Sequence, residues 1–439
     1  MKYLLQLFIF LLPFHAIFVT YMKCKAWIDT DILRFWKEFV IIFLLFIVAA
    51  KVLWSNNFKL EKIYKNNYLL GLTTAFTITS LIYIYFPYFQ PKISSYLGFK
   101  YDVFFLFALI IWVYLATIKN HFESMLTSVF ASIWVMLVIF LPWYLIWDIS
   151  STTHIIGFND KPSTYEANSC ISFSQNVTGG HNRFQWSFGD PIRFSVFLVV
   201  FYFMYLGFVL HKEYNNKILR NTLISVGTLF IVTAIFFAYT KTSMLGFLFG
   251  SVLFVYLVRK IKYWKTISKK FIAISASIIS ILLFIILYIK RHLFLHPEAI
   301  LWRVENLIIS IDMFFYNPFG YGLWIAGPAS QLATSSDQAL SAGVNKFLPE
   351  NWYVQILLEQ SLLGLGIFIW LLSVIWVYLY RIMKLKKDYF SIGIFVSYIT
   401  ILFMANFTHI FEEAATSFIL FMLIGAYIAK ESRDFRKEK

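Results

Sequence analysis

The chain has 439 residues, 60% of them hydrophobic, 21% aromatic and only 14% charged, with 38 Lys and Arg against 23 Asp and Glu and a formal net charge of +15. A soluble domain carries roughly 25% charged residues and cannot hide this much apolar surface, so a water-soluble fold is excluded. The basic residues sit in short segments between apolar runs, which reads as membrane orientation and leaves no nucleic-acid partner to expect.

In chain order, runs long enough to cross ~30 Å of hydrocarbon fall near 3–20, 38–54, 68–88, 101–118, 124–147, 193–211, 219–239, 243–258, 270–290, 353–380, 390–408 and 415–429. They predict an all-α polytopic membrane protein with about twelve transmembrane helices, one integral domain over 1–439. The first run, Lys2 followed by Tyr3 to Thr20, has the shape of a signal peptide but lacks a small-x-small cleavage site, and is read as the first helix. Most of the 38 lysines and arginines lie in the loops near 51–67, 118–124, 211–220, 259–270 and 381–389 and at the two ends, which predicts cytoplasmic N- and C-termini.

Two segments of the opposite, extracytoplasmic face are too long for mere connectors, 148–192 and 291–352. The first is polar and contains Arg183 and Asp190, with Arg193 just beyond. The second opens with an amphipathic stretch from Pro297 to Phe315, followed by a Gly/Pro turn and a Ser/Ala/Gly-rich patch. Cys24 and Cys170 share this face, where a disulfide is chemically allowed, but two free thiols are the expected state. The sequence has no His-Glu-x-x-His, no cysteine pair at ligand spacing and no nucleotide loop, so neither metal nor cofactor is expected. An enzyme built this way works with cations, carboxylates and hydroxyls.

Four passages carry such groups. Arg303 precedes Asn317-Pro318-Phe319-Gly320-Tyr321-Gly322 by about one helix length, and Glu350-Asn351-Trp352-Tyr353-Val354-Gln355 then leads to Glu359 and Gly364. The others are Arg34-Phe35-Trp36-Lys37-Glu38, the stretch from Arg183 to Pro191, and Tyr239-Thr240-Lys241-Thr242-Ser243. In this order they resemble the bacterial O-antigen ligase and O-antigen polymerase superfamily, whose shared domain has an Arg, a Pro-x-x-Gly-x-Gly turn, His-Asn-x-x-x-Gln and Glu-x-Gly-x-x-Gly. The likeness spans most of the chain, with a core over 193–380 that includes the loop 291–352. Glu350 stands where the ligase pattern has His, and Ser361 and Trp186 each replace a Gly.

The resemblance implies metal-independent glycosyl transfer, at the outer face of the bacterial inner membrane, from an undecaprenyl-diphosphate-linked glycan to an acceptor hydroxyl. Its expected partners are that lipid-linked glycan, the bilayer, and an acceptor glycan or lipid A core. The missing His favours a polymerase of repeat units. A ligase passing finished glycan to lipid A core or to protein is the alternative, and a flippase or transporter the second, disfavoured because no repeated halves are visible and the charge gathers in outer loops.

Negative charge builds on the leaving diphosphate, and a planar guanidinium pairs bidentately with phosphate oxygens, so Arg303 is the first expected contact. Arg183, Arg193 and Lys241 are further ones. Glu350 is the expected base for the acceptor hydroxyl, with His296, His181 and Asp190 next in line. Asp190, Asn351 and Tyr353 are expected to bind substrate, while Trp186, Trp352 and Tyr353 suit either sugar stacking or an interface belt. Glu359 is expected to brace the arginines and Gly246 and Gly250 to pack helices, while His409, with Glu412 and Glu413, either lines the cavity or faces solvent, with solvent the preferred expectation.

Overall fold

Apolar sequence in lipid has one economical backbone solution, the helix, because each N–H and C=O then finds its partner within the segment. The computed structural model describes residues 2–24, 35–55, 68–86, 93–115, 122–142, 176–177, 181–182, 188, 190–212, 216–261, 297–323, 325–327 and 348–437. Within them lie thirteen α-helices: α1 (Lys2–Leu11), α2 (His15–Cys24), α3 (Trp36–Ser55), α4 (Tyr68–Tyr85), α5 (Ile93–Leu115), α6 (Phe122–Val135), α7 (Pro191–His211), α8 (Lys217–Phe237), α9 (Lys241–Ile261), α10 (Pro297–Tyr316), α11 (Trp352–Lys386), α12 (Tyr389–Met404) and α13 (Ala414–Lys437). A two-residue antiparallel ladder, Asn176–Val177 on His181–Asn182, is the one strand pairing among the described residues.

The chain is thus an all-α polytopic membrane protein. Nine helical stretches among the described residues are long and apolar enough to cross a membrane. The apolar α3, 20 residues long, and the 16-residue α12 occupy two more of the expected positions. The expected span 270–290 lies outside the described residues.

Helix boundaries follow local chemistry. Pro13 cannot donate to a helical hydrogen bond, and a 3₁₀ turn, Leu12–Phe14, separates α1 from α2 there. Asp190 caps α7 by accepting from the Ile192 N–H at 2.7 Å, with Pro191 at the first helical position. Asn216 and Asp388 cap α8 and α12 in the same way. Lys387, left-handed at φ 52°, closes α11, with Lys384 and Lys386 in its last turn at the negative end of the helix dipole.

In packing, α7 lies against α12 and α9, α5 against α13, and α4 against α11. The expectation for Gly246 and Gly250 on α9 holds. A Cβ at Gly250 would meet the Phe203 ring of α7 and, at 2.6 Å, Thr400 Oγ1 of α12, and one at Gly246 would meet Met404. An aromatic cluster ties α5, α11 and α13 together around Phe411, which stacks on Phe105 at 5.1 Å and meets the Trp352 ring edge-on at 5.4 Å.

Candidate functional site in a broken helix and its outer turn

The polar residues gather where α11 is interrupted. Asn351 starts this helix, its Oδ1 accepting from the N–H groups of Tyr353 at 3.0 Å and Val354 at 3.2 Å. Ten residues on, Ser361 adopts φ 60° and ψ −171°, a conformation that only glycine visits without strain, and the helical ladder stops. The carbonyls freed by the break need partners, since unpaired ones in an apolar setting cost several kcal/mol. The Pro/Gly turn supplies them. Tyr321 N–H donates to Leu358 O at 2.8 Å and Gly322 N–H to Glu359 O at 3.1 Å.

The glycines of this turn follow from the docking. Gly320 has φ +88°, and a Cβ there would stand 2.8 Å from Glu359 O. On the far side, Tyr83 of α4 donates its hydroxyl to Phe319 O at 2.8 Å and to Ser361 Oγ at 3.0 Å, so a third helix clamps turn and break together. A Cβ at Gly98 of α5 would collide with the carbonyl of Leu323. The Pro-x-x-Gly-x-Gly motif is therefore a plug that completes a discontinuous helix.

A buried hydrogen-bonded network surrounds the break. Gln355, Glu359, Gln360 and Asp102 are each 0% exposed. Gln355 Nε2 donates to Glu359 Oε2 at 3.5 Å and to Glu412 Oε1 at 3.4 Å, while its Oε1 lies 2.6 Å from His409 Nδ1. Ala326 N–H donates to Glu359 Oε1 at 3.3 Å. One residue along, Gln360 Nε2 donates to Asp102 Oδ2 at 2.6 Å and Ser80 Oγ to Gln360 Oε1 at 3.1 Å. Burial holds the Glu412 carboxyl well above the usual range, against the pull of the Arg193 guanidinium. Glu413 is raised by burial in the same way. Burial lowers the His409 imidazole to about 3, and Arg193 pushes in the same direction.

Two arginine–carboxylate pairs stand beside this network. Arg303, on α10, places Nε 2.9 Å from Glu350 Oε2, with side chains 39% and 28% exposed. Glu350 itself is held at φ 48°, one residue before the cap of α11. Arg193, in the first turn of α7, reaches Glu413 Oε2 at 3.4 Å and Asp190 Oδ2 at 3.8 Å. The two groups belong to one end of the bundle, because Trp352 N–H donates to Ala405 O at 2.9 Å and so ties the start of α11 to the turn that carries His409, Glu412 and Glu413. Lys241 opens α9 at this end, where Ser195 of α7 bonds Thr240 and Ser243, each at 2.6 Å. Trp36, Lys37 and Glu38 meet there too: the indole donates to His15 Nδ1 at 2.8 Å, Lys37 Nζ lies 2.9 Å from His15 Nε2, and Lys100 joins Glu38 at 3.0 Å.

Arg303 and Glu350, expected to act together, are thus in contact, and Arg193 and Asp190 are paired. Asn351 commits its side-chain oxygen to the cap, and Tyr353 donates its hydroxyl to Leu402 O at 3.0 Å. Arg183, Trp186, Cys170 and His296 lie outside the described residues, and nothing of the side chains of Cys24 and His181 is described. Two expectations are corrected. Glu359 braces no arginine among its described contacts but is buried between Gln355 and the Ala326 N–H. His409 does not simply face solvent: one ring nitrogen bonds Gln355 and the other is shielded from water. Asp102 was overlooked, although a lone carboxylate in the apolar run of α5 is the signal that finds it.

Residues 226–369 match the family model described as O-Antigen ligase. That segment is similar to the shared domain of the O-antigen ligase and polymerase superfamily. The ligase-type segment covers about a third of the chain and runs from α8 through Lys241, Arg303, the docking turn and Glu350 to the second half of α11. Arg193 and His409 approach it from outside. No curated protein matches the chain.

Proposed function

We propose that the chain is a glycosyltransferase of the bacterial inner membrane that polymerises undecaprenyl-diphosphate-linked repeat units at the extracytoplasmic face, with 193–380 as its working core. The distribution of basic residues supports placing the end with Arg303 and Arg193 outside. The observation that carries the reading is the half-exposed Arg303–Glu350 pair at 2.9 Å, in the segment shared with O-antigen ligase.

The pair suggests an exchange. Glu350 meets the guanidinium through one oxygen, whereas a diphosphate brings more charge and can engage the whole fork, so it displaces Glu350 from Arg303. The freed Glu350 takes the proton of the acceptor hydroxyl as that oxygen bonds to the anomeric carbon. The bond from that carbon to the diphosphate oxygen breaks, and its electron pair stays on the diphosphate. Arg303 stabilises that charge, joined by Arg193 once it turns from Glu413, with Lys241 and Arg183 as further contacts. Asp190 positions Arg193, while the Asn351 amide N–H groups and the Tyr353 ring bind sugar. Arginine charge and a carboxylate base suffice for this step, and the reading uses no metal or cofactor.

Glu350 in place of the ligase His supports polymerase over ligase. The ligase description of the matched family favours the second reading, transfer to lipid A core or to protein. Arg303→Lys keeps charge but loses the fork and should slow transfer strongly, and Glu350→Gln should slow it about 10²–10⁴-fold, as loss of a general base does. Wild-type rates from both variants, at normal expression, would overturn the assignment.

A further inference from the structure

The hydrogen bonds around Gln355 fix the state of His409. Gln355 turns its amide nitrogen to two carboxylates, Glu359 at 3.5 Å and Glu412 at 3.4 Å, so its oxygen is the atom left facing His409 Nδ1 at 2.6 Å. An amide oxygen only accepts, hence Nδ1 carries the proton and Nε2 carries the lone pair. That Nε2 is shielded from water and has no hydrogen-bond partner among the described residues. Glu412 Oε2, from the same turn, shares this condition. A buried acceptor left unsatisfied costs about 1–3 kcal/mol, so the Nε2 lone pair next to a charged site calls for a ligand that donates.

Three donors compete for the role. A protein side chain is absent among the described neighbours, and a metal is disfavoured because no group of three His, Cys, Asp or Glu among the described residues is arranged to hold one. A sugar hydroxyl remains. Arg193 is the charge that acts on His409, so a glycan whose diphosphate rests on Arg193 brings its first sugar, the one bonded to the diphosphate, to this turn. Burial, reinforced by repulsion from Arg193, keeps the ring neutral across physiological pH, which suits a permanent acceptor and not a proton shuttle.

We propose that His409 Nε2 accepts a hydrogen bond from a hydroxyl of the donor sugar joined to the diphosphate, and so selects that sugar. The proposal rests on the glycosyl-transfer reading above. Gln355, held by Glu359 and Glu412, is the positioning residue that fixes the tautomer.

The test uses the full-length protein in nanodiscs and the host's lipid-linked repeat unit, together with analogues in which single hydroxyls of the first sugar are replaced by hydrogen. Dissociation constants and transfer rates are both read, for wild type, His409→Leu and the acceptor-retaining His409→Gln. One deoxy position should cost the wild type at least about a hundredfold in kcat/KM, because a polar site rejects the analogue that leaves it unpaired. His409→Leu should treat that analogue and the natural donor alike within about threefold, and His409→Gln should recover part of the discrimination. Thermal unfolding of both variants separates lost recognition from lost fold, and His409→Gln decides the matter if His409→Leu does not fold. Equal tolerance of every deoxy analogue by the wild type, or undiminished discrimination by the folded Leu variant, overturns the proposal. If donor binds without being transferred, the transferase reading fails and the same ratio of dissociation constants judges His409. Absence of both binding and transfer refutes the two together.

Discussion

Gly320→Ala places one methyl group where the outer turn closes the broken helix. The new Cβ would stand 2.8 Å from Glu359 O and 3.0 Å from the Tyr83 ring, and alanine at φ +88° adds strain of about 1–2 kcal/mol. The carbonyl is backbone held by the Ser361 break, so the turn has to back away and stretch the bonds from Tyr321 to Leu358 and from Gly322 to Glu359. Each such bond contributes about 1 kcal/mol net. Together the loss is about 2–4 kcal/mol. Gly366, on the same helix and with nothing within 4 Å of its Cβ position, is the control: Gly366→Ala should be neutral or slightly stabilising. Thermal unfolding in detergent, followed by tryptophan fluorescence, should show a fall of several degrees for Gly320→Ala alone. Equal midpoints for the two variants would mean that the turn does not close the break.

Ser361 tests the same joint from the helix side. Ser361→Ala keeps the strained φ of 60° and loses the hydroxyl bonded by Tyr83 at 3.0 Å and by Leu363 N–H at 3.3 Å, whereas Ser361→Gly loses the bonds but relieves the strain. The Gly variant should therefore be the more stable by about 1–3 kcal/mol in the same assay. His409 predicts an acid response. Its folded value, about 3, lies below the ordinary 6.5, so the unfolded chain binds more protons between these values and stability falls as pH drops through that window. The upper bound on the loss is roughly 4–5 kcal/mol. Glu412 and Glu413 are shifted upward and act in the opposite sense, their penalty for being ionised disappearing as they protonate. Stability of His409→Leu should consequently decline less than that of the wild type from pH 6.5 to 3, and parallel curves would contradict the buried neutral imidazole.

The helices were legible because lipid leaves the backbone little choice and run length alone decides. Every expected span but 270–290 coincides with a described helix. The Pro/Gly motif was legible as a turn, but not its destination, since nothing local in Asn317 to Gly322 says that its N–H groups complete a helix 37 residues onward. Ser361 offered a hint: it stands where the family has Gly, and the structure gives the reason in its positive φ. Arg303 and Glu350 were legible as chemistry, and their contact was not, because they lie 47 residues apart. His409 was misjudged for a related reason. Its hydrogen bond to Gln355 depends on a neighbour set by the docking of α11 against the end of α12.

In the proposed transferase, charge comes from arginine and the base is a carboxylate. That chemistry is tested most directly with the purified protein in nanodiscs, given undecaprenyl-diphosphate-linked repeat units from its own host, EDTA and no nucleotide, and read on a gel. The expected result is a ladder of lengthening glycan, faint or absent with Arg303→Lys. Product only after lipid A core is added would make the chain a ligase with the same donor site. Silence with both acceptors, from protein shown to be folded, would refute the transferase reading.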